Sequence, residues 1–579
     1  MPKDYTDRFC RVTLIRLADT PSWTAFKNIL KNYDETMNSR DLSRWLHTVR
    51  HLRPIQIANR IQRRFRSAKP SLSDPPSARP KLLGWTPPIE REPSLLEAQT
   101  QRVFEQEIPL APKAWNDSNL SHLTRYNLHY FDDLNAAGSS ERTLWHVDLI
   151  ARWIQENPPG IGTGWEPYPL SIRIANWIKW SLAGHALTED AERSLAFQVR
   201  SLENQLEFHL LGNHLWANAK ALIFAGCYFE GPEAARWLQR GTALFDQELK
   251  EQILPDGGHF ELSPMYHSVM LEDLLDLVNL YQITGKDPER LVNPIESMRR
   301  WLLAMCHPDG GISFFNDAAF GIVPTAEQLA DYASRLQLPE VQLPQDRVIH
   351  LKDSGYIRVQ FPKHTLLIDV AEVGPSYVPG HAHADTLCFE WSYGGERVFV
   401  NSGTSCYGTS AERLRQRGTA AHNTVIVDDT NSSDVWSGFR VGQKAHPFDL
   451  KIQTSAEDVK ITCSHSGYQR LAGRVTHTRQ WQVHQNGFSI RDELSGRHDT
   501  AEARFHFHPA WNFRETPEGY EALGNTGGIF LHLGAHQPSE LKSSSFHPRF
   551  EVTLPNQVLR VPIDGSELLT EVSWQGKDG

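Results

Sequence analysis

GHAHADTLCFEWSYGGERVFVNSGT, residues 380–404, decides how the chain is read. Beyond Thr386 it carries apolar, aromatic and β-branched residues on both sides of Gly394-Gly395, the pattern of two antiparallel strands joined at a tight turn. Its first seven residues set His381, His383 and Asp385 at two-residue spacing. In an extended chain all three share one face. Two imidazoles and a carboxylate on one face suit a metal ion or a polar substrate.

Working outward, HTLLIDVAEV, HNTVIVDD, RVTHTRQWQVHQNGFSIRDEL and AEARFHFHP continue the strand-type pattern, with Asn-Gly at a turn. Upstream the period changes. PLSIRIANWIKWSLAGHAL, NHLWANAKALIFAGCYF, PEAARWLQRGTALFDQEL and SVMLEDLLDLVNLYQITG repeat apolar residues every three to four positions and end at Gly or Pro. LPDGGHFELSP (254–264) and HPDGGISFFND (307–317) echo each other at a 53-residue offset, which fits a helical hairpin as the repeating unit. Helices followed by strands predict a multidomain α+β chain. The expected order is a basic N-terminal helical segment and Pro-rich linker over 1–95, an α/α toroid (an incomplete helical barrel) over 96–340, and an antiparallel β-sandwich over 341–579.

Composition narrows the class. Of 579 residues 40% are hydrophobic and 22% charged, ordinary for a globular protein, and the net charge of −10 argues against a nucleic-acid binder. Six scattered cysteines without a Cys-x-x-Cys pair make neither a disulfide framework nor a zinc knuckle. No apolar run is long enough for a membrane span, and Arg11 and Arg16 interrupt the N-terminus where a signal peptide would need its apolar core. A cytoplasmic location is expected as written, and a periplasmic or secreted one if the true start differs. Residues 40–69 mix apolar positions with seven Arg or Lys between Arg50 and Lys69. A solvated helix packed on the main body explains this more simply than a helix on a membrane or an acidic partner.

The metal-hydrolase reading of GHAHADT meets two obstacles. Thr386 stands where the metallo-β-lactamase pattern needs histidine, and the helical region precedes the motif with no β/α alternation after it. Other polar groups sit at element ends: Asn213 and His214 after Gly212, Tyr266 and His267 at another helix start, His422 and Asn423 at the mouth of a strand. Singly, each reads as a cap or a core group. Together they mark where a toroid groove and a sandwich edge converge.

Six stretches, in order, carry a resemblance: GWEPYPLSIRIANW (164–177), GNHLWANAKAL (212–222), DGGHFELSPMYH (256–267), HPDGGISFFND (307–317), the 380–404 stretch and AAHNTVIVD (420–428). The chain resembles the heparinase II/III-like polysaccharide lyases, which are similar to heparin/heparan sulfate lyases and oligoalginate lyases. The resemblance implies the toroid-then-sandwich fold and an acidic polysaccharide substrate. It implies β-elimination at a uronic acid: a base takes the C5 proton, and the C4 oxygen leaves. Asn213 and His214 match the pair that neutralises the uronate carboxylate, and Tyr266 the tyrosine that is general acid and in some members also base. His381 matches a groove histidine that is base or carboxylate partner, supported by His422. Arg173, Trp165, Tyr168, His267 and Arg417 are expected to bind the polymer. His383 matches a ligand of one structural divalent metal (zinc, manganese or calcium), with no organic cofactor. Asn401 replaces the usual second-ligand aspartate, and Asp434 is a compensating carboxylate. Heparan-type polymers are the expected substrates, with chondroitin, hyaluronate and alginate open. The alternatives are a non-catalytic factor or a hydrolase in exopolysaccharide or capsule metabolism. A hydrolase would draw on Glu166, Glu261 and Asp256.

Overall fold

The computed structural model describes residues 39–65, 69–79, 82–524, 526–534 and 538–576. The first part of the expected basic segment, residues 1–38, lies outside the described residues. The described residues up to His51 belong to a unit of their own, in which Ser39–Val49 is a helix. Everything below concerns the second unit, Leu52–Gly579.

That unit opens with a helix over Pro54–Arg63. Pro54 sits at its first turn, where a missing N–H costs nothing, and Gln56 accepts the Arg53 N–H at 2.9 Å. The Pro-rich stretch expected to be a linker is instead fastened to the helical domain. Arg200 donates to the carbonyls of Ser71, Ser73 and Asp74, and Ala78 bridges to Phe229. The helical region also starts later than the sequence suggests. Three short strands, Leu95–Glu97, Thr100–Val103 and Gln106–Pro109, form an antiparallel sheet against the same core as the helices.

Helices Thr143–Glu156, Pro167–Leu182, Glu189–Asn204, Gly212–Tyr228, Gly231–Gln252, Pro264–Ile283 and Glu289–Met305 build the toroid. Gly212–Tyr228 and Pro264–Ile283 are apolar nearly all round, as inner-layer helices must be. Each Pro-Asp-Gly-Gly echo is a tight reversal, with Gly257 at φ +92° and Gly310 at φ +81°. Leu254 N–H donates to Gly258 O at 2.8 Å, and His307 N–H to Gly311 O at 2.9 Å.

Beyond Val348 come sheets of five, eight and four antiparallel strands. The 380–404 hairpin supplies Phe389–Tyr393 and Glu396–Phe399, edge-side strands of the five-stranded sheet. Inner faces of all three sheets share one core containing Val359, Trp391, Val425, Trp481, Phe505 and Leu559. A separate apolar cluster joins the two domains: Leu262, Trp301, Met305 and Phe315 from the helical side meet Tyr356, Leu367 and Cys388 from the sandwich. The GHAHADT stretch is not a regular strand. Its irregular course sends its histidines to different partners.

Candidate functional site

Two imidazoles face the groove, each held by a buried glutamate. His214, in the first turn of Gly212–Tyr228, bonds Glu207 through Nδ1 at 3.0 Å, and its side chain stays 27% exposed. Glu207 is itself fixed by the Asn218 amide at 3.0 Å. His381 bonds Glu261 through Nδ1. In both pairs the carboxylate accepts from Nδ1, which leaves Nε2 without a hydrogen-bond partner among the described residues. The Asn213 side-chain amide, beside His214, makes no hydrogen bond among the described residues. Just ahead of it Leu211 is held at φ 64°, ψ −153°, a conformation that costs a branched residue about 1–3 kcal/mol. The strain turns the chain abruptly into the helix that delivers Asn213 and His214.

Tyr266 enters from the first turn of Pro264–Ile283, whose cap is Ser263 accepting the Tyr266 N–H at 3.2 Å. Its ring stacks on His381 at 3.8 Å between centroids, and its hydroxyl meets that of Tyr407 at 2.8 Å. Burial, then the neighbouring Tyr407 and Asp317, push the phenol well above its usual 10, so it carries its proton at any working pH. For His214 burial opposes charging, but Glu207 outweighs it and the net shift is upward from 6.5. Charge on His214 is therefore favoured relative to a free imidazole. Tyr168 packs on it at 4.6 Å.

If turnover needs protonated His214, activity falls as pH rises through its elevated pKa. Glu207→Gln removes the main favourable interaction, so the alkaline limb of kcat/KM should move to lower pH. An unmoved limb in a folded variant would assign it to another group.

Below this layer lies a second, fully buried one. His383 gives its Nε2 proton to Asp317 at 2.8 Å, and His422 gives its Nδ1 proton to Asn401 Oδ1 at 3.1 Å. What remains is His383 Nδ1 facing His422 Nε2 at 3.2 Å, two lone pairs pointed at each other. Burial lowers His383 to about 4 and holds His422 well below its usual 6.5, so neither ring takes a second proton at neutral pH. Two nitrogens on one tetrahedral zinc at 2.0–2.1 Å lie about 3.3 Å apart. A carboxylate oxygen of Asp385 completes a group with all donor atoms within 4.8 Å of one another. The donor set thus fits a nitrogen-rich divalent site. It differs from the expected set: Asn401 orients His422, while Asp434 sits in the hairpin around Val435–Val441, its carboxylate against Gly442. His422 belongs to this buried layer and does not face the groove.

Four of the five expected polymer contacts are structural. Arg173 is fully buried, stacked on Trp153 at 3.8 Å, and donates to Gln198, His129 O and Gly164 O. Trp165 is a core ring bonded to Asn157 O at 3.1 Å. His267 lies against Trp301 and reaches Met298 O at 2.9 Å. Arg417 clamps Ala382 O at 2.8 and 3.1 Å, bracing GHAHADT from behind. Only Tyr168 of the five reaches the site. Arg413 grips Asp317 with both terminal nitrogens. Although burial opposes its ionisation, Asp317 is held far below the usual carboxylate range by Arg413 and His383.

The carboxylates a hydrolase would require are engaged: Glu261 by His381, Glu166 by Tyr126, and Asp256 by the N–H groups of Gly258, Asp353 and Ser354. Sequence reasoning missed Glu207, Asp317 and Tyr407 altogether, and Glu261 as the partner of His381. The signal for two of them was present. Glu261 and Asp317 follow the two Pro-Asp-Gly-Gly turns and hold His381 and His383 respectively.

Comparison with known proteins points the same way. A heparin-sulfate lyase of Bacteroides stercoris is 28% identical over 243 residues, covering 38% of this chain and 36% of its own. A heparin-sulfate lyase of Pedobacter heparinus is 24% identical over 333 residues, covering 51% and 50%. The chain thus spans half or less of the length of these two relatives. Among solved structures, heparinase III superimposes with a TM-score of 0.66 at 17% identity, over 80% of this chain and 79% of that one. Heparan sulfate lyase HepC from Pedobacter heparinus gives 0.54 at 17% identity, over 91% and 88%. At those identities the structures speak for the fold alone: a helical toroid followed by antiparallel sheets. The Heparinase II/III N-terminus family matches residues 135–336, and the Heparinase II/III-like, C-terminal family matches residues 344–575. Both halves of the site fall inside these spans, and the chain belongs to the heparinase II/III-like family.

Proposed function

We propose that the protein is a lyase that cleaves uronic-acid-containing polysaccharides by β-elimination, leaving an unsaturated uronate end. The observation that carries this reading is the meeting, across the domain boundary, of Tyr266 and His381, with His214 held by its own glutamate on the helical side. The relatives' names point to heparan-type glycosaminoglycans.

The C5 proton of a uronate is a poor acid while the adjacent carboxylate is anionic, because abstraction adds charge to the same group. Protonated His214 and the Asn213 amide supply donors that neutralise the carboxylate and the enediolate-like intermediate. His381 takes the C5 proton at Nε2, with Glu261 stabilising the resulting imidazolium through Nδ1. Tyr266, protonated at rest, gives its phenolic proton to the departing C4 oxygen. The C5–H, C4–O4 and Tyr266 O–H bonds break, and the His381 Nε2–H and O4–H bonds and the C4–C5 double bond form. Return of the proton from His381 to Tyr266 resets the pair without water or oxidant.

The test is a panel of heparan sulfate, chondroitin, hyaluronate and alginate scored for new ultraviolet absorbance. Absorbance with at least one of them supports elimination. Reducing ends without absorbance would turn the reading to hydrolysis, and no cleavage of any would sink the enzyme.

The reading includes one divalent ion held by His383, Asp385 and His422, with zinc best suited to the two imidazoles. Its chemistry there is structural, tying the GHAHADT segment to the 422 strand mouth beneath the groove. Purified protein should contain about one equivalent of metal by emission spectrometry. His422→Ala should contain none, and metal-free parent protein with unchanged melting temperature would refute the site.

A further inference from the structure

Helix Pro54–Arg63 is mounted the wrong way round. A surface helix normally buries its apolar face. Here Ile55, Ile57 and Ile61 are exposed, while Gln56 is buried and Arg60 and Arg63 lie along the loops beneath. Gln56 Nε2 reaches Leu210 O at 3.5 Å and Tyr377 O at 3.4 Å; Arg60 reaches His209 O at 3.4 Å and Arg63 reaches Gln205 O at 3.1 Å. Arg53 pairs with Glu251 and stacks on Tyr377 at 3.7 Å. The contacted loops are the ones that lead into Asn213 and His214 on one side and into His381 on the other.

Arg53 is paired, but Arg60 and Arg63 are not: among the described residues neither has a carboxylate partner, and each makes a single bond to a carbonyl. Arg440 is a third such cation. It is exposed, its guanidinium rests on Trp436 at 4.8 Å, and it too has no carboxylate partner among the described residues. Its neighbour Phe439 stands edge-on to His381 at 6.2 Å. Arg417 and Arg413 brace this loop from behind through the carbonyls of Ser437, Gly438 and Arg440. Burial, then nearby Arg440, disfavour the charge on Arg60, and Arg63 acts in the same sense on His209 and His214. Converging guanidinium groups lacking counter-charge, in a chain of net charge −10, leave the counter-charge to be supplied from outside.

We propose that Arg60, Arg63 and Arg440 form an anion subsite that takes a carboxylate or sulfate of the sugar next to the uronate held by Asn213 and His214. The identity of the polymer rests on the lyase reading; the cluster does not. The subsite makes the N-terminal helix a specificity element, outside the spans matched by the two families.

The experiment measures binding by calorimetry in a Tyr266→Phe background, with heparan sulfate and hyaluronate oligosaccharides of equal length as probes. Arg60→Gln, Arg440→Gln and the reversal Arg440→Glu are compared with that parent, after checking equal melting temperatures. Affinity for the sulfated probe should fall about tenfold per charge removed, and further for Arg440→Glu. Loss confined to heparan sulfate identifies a sulfate, and loss with both probes a carboxylate. With Tyr266 restored, the loss should fall on KM rather than kcat. Variants that bind both probes as the parent does overturn the subsite while leaving the lyase intact. A parent that binds neither probe overturns the subsite, while the lyase reading is decided separately by the four-polymer panel.

Discussion

Tyr266→Phe should lower kcat by about a hundred- to ten-thousand-fold, the range for removing a positioned acid or base. The substitution deletes one hydroxyl. The ring remains to stack on His381 at 3.8 Å, so His381 and its bond to Glu261 stay in place. KM should change little, because the phenol acts on the leaving oxygen as charge develops there. Burial keeps the phenol protonated, so the variant's pH profile should keep its shape, with the alkaline limb still belonging to His214. The readout is the rate of appearance of unsaturated uronate with the best polymer of the panel. A folded variant within about threefold of the parent would remove Tyr266 from the chemistry. A changed profile with retained rate would instead make it a group that tunes His381.

The second large effect is on stability. Arg413→Met removes a fully buried guanidinium that grips Asp317 and lies 4.9 Å over the Tyr407 ring. Breaking a buried pair from one side leaves the other charge uncompensated, at about 3–5 kcal/mol. Denaturant unfolding at neutral pH should register a loss of that size. The sign with pH is definite. Folded-state Asp317 is depressed in the parent, so its contribution is present above the unfolded pKa and lost as pH falls through the folded value. Without Arg413 the carboxyl protonates more readily, so the deficit of the variant should shrink as pH is lowered. A deficit constant with pH would mean that packing around Tyr407 and Gly438, rather than charge, accounts for the loss.

Much of the architecture was legible because period is a backbone property. Three-to-four spacing before residue 340 and strand patterns after 345 report helix and strand directly. Asn213, His214 and Tyr266 were legible as polar groups at element ends and His381 as part of the GHAHADT alternation, though only the resemblance gave them roles. Misreadings arose where residue type was taken for exposure. Arg173 sits between Ile172 and Ile174 in a helix apolar on all sides, a setting in which a guanidinium is buried against carbonyls. The carboxylate partners escaped notice for a different reason: Glu261 and His381 are 120 residues apart. No local spacing rule spans that distance. The same holds for the strand from Leu95, where tertiary packing overrode a weak helical pattern.

Each groove-side or buried histidine of GHAHADT depends on a carboxylate borrowed from the helical domain, His381 on Glu261 and His383 on Asp317. Neither domain owns a complete site. Produced as two separate polypeptides, the halves would each be silent, and chemistry would return only on their reassociation. On the lyase reading, activity would be a reporter of docking: anything that pries toroid from sandwich, heat or denaturant included, should switch it off before either domain need unfold.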